Sequence, residues 1–161
     1  DAYNMICEFL GANWYALVAT AGLAALAVLH IVYAFWLTMQ NRKARGNERY
    51  AVTTRPQGVE WASQNMLVLG IIIILGLLLH LFNFWYTFSC PVYVVLYIVW
   101  LVALWFHLTH GFWSAMQTFG WNGKVWYCRW KVIGIAYSTL LCLGFLVVVL
   151  WFAAKGLCGC C

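Results

Sequence analysis

Residues 92–113 read VYVVLYIVWLVALWFHLTHGFW, a run without a single Asp, Glu, Lys or Arg. About 20 mainly apolar residues are enough for an α-helix to cross a bilayer, so this run predicts a transmembrane helix. Similar stretches elsewhere bring the prediction to four spans, at about 14–39, 61–88, 91–119 and 132–154. The alternating pattern of a transmembrane β-strand does not occur. The expected fold is therefore all-α integral membrane, with one helical bundle over residues 1–161.

The composition excludes an ordinary soluble domain. Of the 161 residues, 66% are hydrophobic and only 8% are charged, whereas about a quarter of the residues of soluble domains are charged. The chain has room for one compact membrane domain and for no second globular unit. Its net charge of +5 does not indicate a nucleic-acid partner, because the placement of the basic residues explains it better.

The basic residues predict the topology. All but Lys155 lie between the first and second spans or between the third and fourth. The first linker carries Arg42, Lys43, Arg45, Arg49 and Arg55, and the second carries Lys124, Arg129 and Lys131. Both linkers lie on one side if four spans alternate in direction, and the positive-inside rule places that side in the cytoplasm.

All four histidines lie inside the predicted spans: His30, His80, His107 and His110. Ionisable residues at that depth usually mark a site, and neutral imidazole is a common protein ligand of haem iron. The helical rise places His30 ~15 Å and His110 ~14 Å above the cytoplasmic face, and His80 ~28 Å above it. We therefore expect His30 and His110 to ligate one iron. His80 lies on a second level without a partner in this chain, and hydrogen bonding to a carbonyl or a serine is the alternative for an isolated buried histidine.

Two further patterns bear on a haem. Gly111, and also Gly22 and Gly76, would allow a flat ring to approach the backbone, although small residues serve plain helix packing equally well. No C-x-x-C-H sequence occurs, so any haem is expected to be held non-covalently, as b-type. One C-x-x-C spacing occurs, from Cys158 to Cys161, and we do not expect it to form a zinc site. The cysteines of the tail, Cys158, Cys160 and Cys161, are expected to lie in a disordered end rather than in a metal site.

Three stretches carry a resemblance to a known family. Residues 110–122, HGFWSAMQTFGWN, resemble the haem-binding span of the cytochrome b subunit of succinate:quinone oxidoreductases, in the dihaem type with one large anchor polypeptide. Residues 29–45, LHIVYAFWLTMQNRKAR, look like the second span of that family and its basic exit loop. Residues 60–85, EWASQNMLVLGIIIILGLLLHLFNFW, look like its third span. The sequence as a whole resembles the fumarate reductases of Bacteroides-like bacteria.

The resemblance implies five spans and four ligand histidines, with none on the last span. His30, His80 and His110 match the second, third and fourth ligands, and the family pairs the second with the fourth on the haem nearer the cytoplasm. The first span of the family and its histidine are missing ahead of Asp1. Either the sequence is a fragment or that helix is supplied separately, so we expect one haem here where the family holds two.

The resemblance also implies partners and a substrate. The chain would anchor a flavoprotein subunit and an iron–sulfur subunit at the cytoplasmic face of a bacterial inner membrane. It would carry electrons between menaquinol and those subunits without itself acting on fumarate or succinate. Arg42, Lys43 and Arg45 are candidates to pair with haem propionates, although topology alone explains them too. Glu8, near the outer face, is either an acceptor for the proton of a quinol or a solvated interfacial acid.

Two other interpretations remain open from the sequence. One is the b-type cytochrome anchor of another respiratory oxidoreductase, such as a formate dehydrogenase or a hydrogenase, which the 110–122 stretch disfavours. The other is a proton-coupled transporter without haem, whose histidines relay protons. Pro91 begins a predicted span and no proline lies further inside one, which argues against the broken helices of many transporters.

Overall fold

In a computed structural model, residues 2–47, 59–83 and 91–158 are described, and they form helices joined by short connections without a β-strand. In chain order the helices are α1 (Ala2–Gly11), α2 (Trp14–Arg45), α3 (Trp61–Gln64), α4 (Met66–Asn83), α5 (Pro91–Thr118) and α6 (Lys124–Cys158). The predicted all-α class is confirmed. The chain divides into two compact units, Asp1–Thr54 and Arg55–Cys161, and each is described by itself.

Within the described part of the chain, three helices are long and apolar enough to cross a membrane: Trp14–Arg45, Val92–Thr118 and Lys124–Lys155. The chain is therefore multi-pass, as predicted. The remaining predicted span corresponds to the shorter apolar helix Met66–Phe82. The predicted end of that span at Phe88 falls on residues 84–90, which lie outside the described part of the chain.

The first unit contains α1 and α2. The side chain of Asn13 caps α2, because its Oδ1 accepts a hydrogen bond from the backbone N–H of Tyr15 at 3.0 Å. The helix continues past the predicted boundary at Met39 and ends at Gly46, whose φ of 68° suits glycine. The predicted linker residues Arg42, Lys43 and Arg45 thus form its last turn. Positive charge there complements the negative end of the helix dipole, which explains why the helix extends beyond its apolar part.

In the second unit, α5 packs against both α4 and α6. The buried side chains follow these contacts and include Leu69 on α4, Leu101 and Ala103 on α5, and Ser138 and Cys142 on α6. Trp100 of α5 lies directly over Gly76 of α4, and Phe112 of α5 lies over Gly134 of α6. Small residues thus bring the backbones together, as in many membrane helix pairs.

The helix α3 is separated from α4 by a break at Asn65. The backbone of Asn65 is non-helical (φ −115°, ψ 15°), and its side-chain Nδ2 donates to the carbonyl of Trp61 at 2.8 Å. The backbone N–H of Leu69 in turn donates to the carbonyl of Asn65 at 2.9 Å. Asparagine suits such a break, because its side chain competes for backbone hydrogen bonds.

The helix α6 begins at Lys124, well before the predicted boundary at Val132. Gly120 (φ 77°) makes the turn after α5, and Trp130 of α6 donates its indole N–H to the carbonyl of Trp121 at 2.9 Å. This contact holds the first turns of α6 against the connection that precedes them. Three basic residues predicted in a linker therefore lie on a helix: Lys124, Arg129 and Lys131.

Candidate functional site

A carboxylate joins three helices of the second unit. Glu60 precedes α3 with an extended backbone, and its side chain does not cap that helix. Its Oε1 accepts a hydrogen bond from Lys131 Nζ of α6 at 2.5 Å, and its Oε2 lies 3.5 Å from His110 Nδ1 of α5. We call Glu60, His110 and Lys131 the polar cluster. It brings one predicted ligand, His110, together with two residues that the sequence did not mark as functional.

The geometry of His110 defines what its imidazole can do. Its side chain is 12% exposed and meets the indole of Trp113 edge-on, with ring centroids 5.0 Å apart. Beside a carboxylate, Nδ1 of a neutral imidazole carries the proton, so that the lone pair lies on Nε2. His110 therefore presents Nε2 as the nitrogen able to bind a metal or accept a proton.

The charge on the polar cluster is balanced. Hydrogen bonding from Lys131 holds the pKa of Glu60 below its ordinary value; desolvation opposes this less strongly, and the contact with His110 lowers the pKa further. The ammonium group of Lys131 also lies 4.9 Å from the ring centroid of Trp113 and 5.3 Å from that of Tyr127. Aromatic faces and a carboxylate together stabilise this cation at the edge of the apolar region.

The polar cluster lies at a defined level of the bundle. His110 is roughly 12 Å from the end of α5 at Thr118, and Lys131 is roughly 10 Å from the start of α6 at Lys124. The 28 residues of α5 span ~42 Å, which exceeds the hydrocarbon thickness of ~30 Å. Measured from Pro91, the first ~30 Å of α5 end near His110. The polar cluster therefore lies where the apolar layer meets the headgroups, if α5 enters the membrane at its first residue.

A cleft of about 250 Å³ opens beside the polar cluster. Four of its nine lining residues are aromatic, and Glu60, Lys131 and Thr109 add polar side chains. The lining residues are Glu60, Trp61, Ala62, Trp105, Phe106, Thr109, Trp113, Lys131 and Ile135. The indole N–H of Trp105 is already used, since it donates to Thr139 Oγ1 of α6 at 3.0 Å. The cleft suits an apolar body that ends in a hydrogen-bond acceptor.

The other histidines lie elsewhere. His80 is exposed on α4, where its ring stacks on Trp100 at 5.9 Å and meets Tyr97 edge-on at 6.1 Å. His107 lies one helical turn from His110 and packs toward α4, with Cε1 3.9 Å from where a Cβ at Gly70 would lie. His30 is exposed on α2 in the first unit. Its predicted pairing with His110 joins the two units and stays a prediction.

The glycines predicted to admit a flat ring behave differently from one another. Nothing lies within 4 Å of a Cβ built on Gly22 or Gly111, so both keep open space beside the backbone. Gly76 does not, because a Cβ there would lie 2.2 Å from Trp100 Cδ1. The expectation that Gly76 leaves room for a porphyrin is wrong, and its alternative, close helix packing, is correct.

Four of the remaining candidates lie on the first unit. Glu8 is exposed on α1, a helix that the sequence did not predict. The side chains of Arg42, Lys43 and Arg45 are exposed at the end of α2. These four belong to a different unit from the polar cluster. Of the tail, Cys158 is the last residue of α6 rather than part of a disordered end, and Cys160 and Cys161 lie outside the described residues.

The donor set at His110 suits an axial haem ligand. Metal-bound histidines almost always donate their other ring N–H to a carboxylate, a carbonyl or water, and Glu60 provides such a carboxylate. Among the described residues no three His, Cys, Asp or Glu side chains converge on a metal-sized site. Axial ligation of haem needs only two histidines, so the absence of a three-residue cluster does not argue against His30 and His110 as a ligand pair.

Sequence reasoning missed Glu60 and Lys131. Glu60 is one of only four acidic residues, and it directly precedes an apolar span. An acid in that position was a signal in its own right, because charge at the edge of a span is costly unless it is paired. Comparison with protein-family models, with curated proteins and with solved structures finds no match to this chain.

Proposed function

We propose that the chain is the haem b-containing membrane anchor of a succinate:quinone oxidoreductase or quinol:fumarate reductase. In this role it carries electrons between menaquinol and flavoprotein and iron–sulfur subunits on the cytoplasmic face. The observation that supports it best is the hydrogen-bonded pair of His110 and Glu60, which leaves Nε2 of a histidine on a membrane helix able to bind iron. The resemblance of residues 29–45, 60–85 and 110–122 to the cytochrome b family supports the same role.

His30 and His110 are the proposed axial ligands of one haem. Each lies on a helix with a glycine that has open space beside it. Gly22 provides this space on the helix of His30 and Gly111 on the helix of His110, which leaves room for a planar ring. His80 is the proposed ligand of a second haem, whose other ligand would come from outside this chain. Haem bound in this way supplies one-electron redox chemistry, and bis-histidine ligation leaves no coordination position for oxygen.

The remaining residues of the proposal act around the haem. Glu8, exposed on α1, would accept the proton released when a quinol is oxidised. Arg42, Lys43 and Arg45 would face the propionates or the cytoplasmic subunits, in addition to setting topology.

The proposal includes a fourth span and a bacterial inner-membrane location. Helix α4 has 18 residues and is ~27 Å long, close to the ~30 Å of a hydrocarbon core. The chain enters this span at the level of Glu60, which lies roughly 10–12 Å inside the ends of α5 and α6. The span therefore has a shorter distance to the opposite face than α5 and α6 have.

The test is an absorption spectrum of the purified chain with haem quantified per polypeptide. We expect a low-spin b-type spectrum. The part of this spectrum that comes from the haem nearer the cytoplasm should be lost in His30→Ala and in His110→Ala. His107→Ala is the matched control, because it removes an imidazole one turn away, and we expect it to retain the haem. An unchanged spectrum in both ligand variants would overturn the assignment.

The polar cluster also favours a second candidate, a proton-coupled membrane transporter without haem. His110, Glu60 and Lys131 form a chain of titratable groups at the edge of a membrane bundle, as a proton relay requires. This candidate predicts no haem absorbance and a proton flux in liposomes that Glu60→Gln abolishes. Haem bound in a 1:1 ratio would exclude it.

A further inference from the structure

We infer that Glu60 is the positioning residue of His110, fixing the orientation and the tautomer of the imidazole that would bind haem. The inference rests on the proposed function for the haem itself, but the positioning can be observed without haem. Glu60 would touch neither iron nor porphyrin, and it acts through the ring that does.

Glu60 is contacted on both carboxylate oxygens, although its side chain is 41% exposed. Its two carboxylate oxygens reach different helices, with Oε1 at Lys131 and Oε2 at His110. The acid is thereby fixed on α6 by a charged donor and on α5 by the imidazole. A carboxylate held at both oxygens cannot rotate without losing one of these contacts, so it defines where the Nδ1–H of His110 points.

The surroundings of His110 restrict the ring further. Trp113, one turn later on α5, lies edge-on to the imidazole at 5.0 Å and is itself covered on one face by the ammonium group of Lys131. The imidazole is thus held by a carboxylate on one nitrogen and by an indole at its side. A ligand ring that is already oriented loses less conformational freedom when it binds a metal.

The charge of Glu60 has a predictable effect on the iron. A carboxylate that accepts the Nδ1–H makes the imidazole a more basic ligand, which favours the ferric state and lowers the midpoint potential. Lys131 opposes this effect, because its positive charge is bonded to the same carboxylate. Removing the acid and removing the lysine should therefore shift the potential in opposite directions.

The experiment compares four variants of the full chain loaded with haem b: Glu60→Gln, Glu60→Leu, Lys131→Gln and, as a control, Arg129→Gln. Arg129 lies two residues from Lys131 but pairs with the ring of Trp126 instead of Glu60. The readouts are the haem dissociation constant, the midpoint potential by spectroscopic redox titration, and the ¹⁵N NMR signals of His110 in the haem-free chain.

We expect Glu60→Leu to weaken haem binding by about 10–100-fold, the usual cost of losing the outer partner of a metal ligand. Glu60→Gln keeps an acceptor oxygen, so it should retain most of the affinity while raising the midpoint potential. Lys131→Gln should lower the potential, and Arg129→Gln should shift it less than Lys131→Gln does. If both Glu60 variants match Arg129→Gln in affinity and potential, Glu60 does not position the ligand.

The NMR measurement separates this inference from the proposed function. The haem-free chain should show His110 protonated at Nδ1, and Glu60→Leu should move the proton to Nε2. A chain that binds no haem but shows this exchange would refute the proposed function and support the positioning role. A chain that binds haem through His110 but shows the Nε2–H form with Glu60 present would refute the positioning role alone.

Discussion

Replacing Gly76 by alanine tests how α4 and α5 pack. A Cβ at this position would lie 2.2 Å from Cδ1, 2.3 Å from Cγ and 2.5 Å from Nε1 of Trp100. Real Cβ atoms essentially never approach other heavy atoms within 3.0 Å, so the indole or a helix must move. The indole cannot move freely, because its Nε1 donates to the carbonyl of Ile73 at 3.1 Å on the same helix as Gly76.

The cost follows from these two contacts. Forcing an extra carbon into a packed interface typically costs about 1–3 kcal/mol. Moving the indole far enough also breaks its hydrogen bond to Ile73, which contributes about 1 kcal/mol. Alanine recovers up to about 1 kcal/mol from its better helix propensity. We therefore expect Gly76→Ala to destabilise the second unit by about 1–3 kcal/mol.

The assay is reversible unfolding in mixed micelles with increasing SDS, followed by far-ultraviolet circular dichroism and tryptophan fluorescence. Gly144→Ala is the matched control, because this glycine lies on α6 and has nothing within 4 Å of its Cβ position. We expect Gly144→Ala to be neutral or slightly stabilising. Equal midpoints for the two variants would refute the packing of Trp100 over Gly76. Gly76→Ala should cost less in a Trp100→Ala background than in the unmodified chain, because the smaller side chain removes the clash.

Three further outcomes are expected. Trp105→Phe and Thr139→Val should each lower the free energy of unfolding by about 1 kcal/mol, since each removes the hydrogen bond between α5 and α6. A double-mutant cycle in the same unfolding assay should show that the two losses are not additive. The stability of the second unit should fall as the pH drops below about 4.5, the ordinary pKa of a glutamate. Lys131 holds the pKa of Glu60 lower than this in the folded chain, so the unfolded chain takes up the proton first. This contribution to the loss of stability at acid pH should vanish in Glu60→Gln. Under the proposed function, Glu8→Gln should slow quinol oxidation by the complex without removing haem, and normal turnover would dismiss the proposed role of Glu8.

The helices could be predicted from the sequence because hydropathy and length determine them. Residues 92–113 contain no Asp, Glu, Lys or Arg, and they lie within α5, which runs from Pro91 to Thr118, close to the predicted 91–119. The ends of the other helices were harder to predict. Arg42, Lys43 and Arg45 are good helix formers that also suit a helix C-terminus, so α2 continues where the apolar pattern has stopped.

The polar cluster could not be predicted in the same way, because its members are distant in sequence. Glu60 lies 50 positions from His110 and 71 from Lys131, and neither separation follows a helical repeat. Hydropathy places Lys131 in a linker, whereas α6 begins earlier and carries it to the level of His110. The sequence could indicate that Glu60 needs a partner, but only the packing of three helices selects which one.

Helix packing in the second unit depends on few contacts, as expected for a helical bundle whose solvent is lipid. Most large apolar side chains of the described residues remain exposed, including Leu78 on α4 and Val102 on α5. In water such a surface would aggregate, but in lipid it gains nothing from being covered. Association of α3, α4, α5 and α6 then relies on close approach at glycines and on polar contacts, of which Gly76, Gly134, Trp105 and Glu60 provide the clearest cases. Glu60 also contacts His110, so changes that loosen the packing around Glu60 should also disturb any ligand that His110 binds.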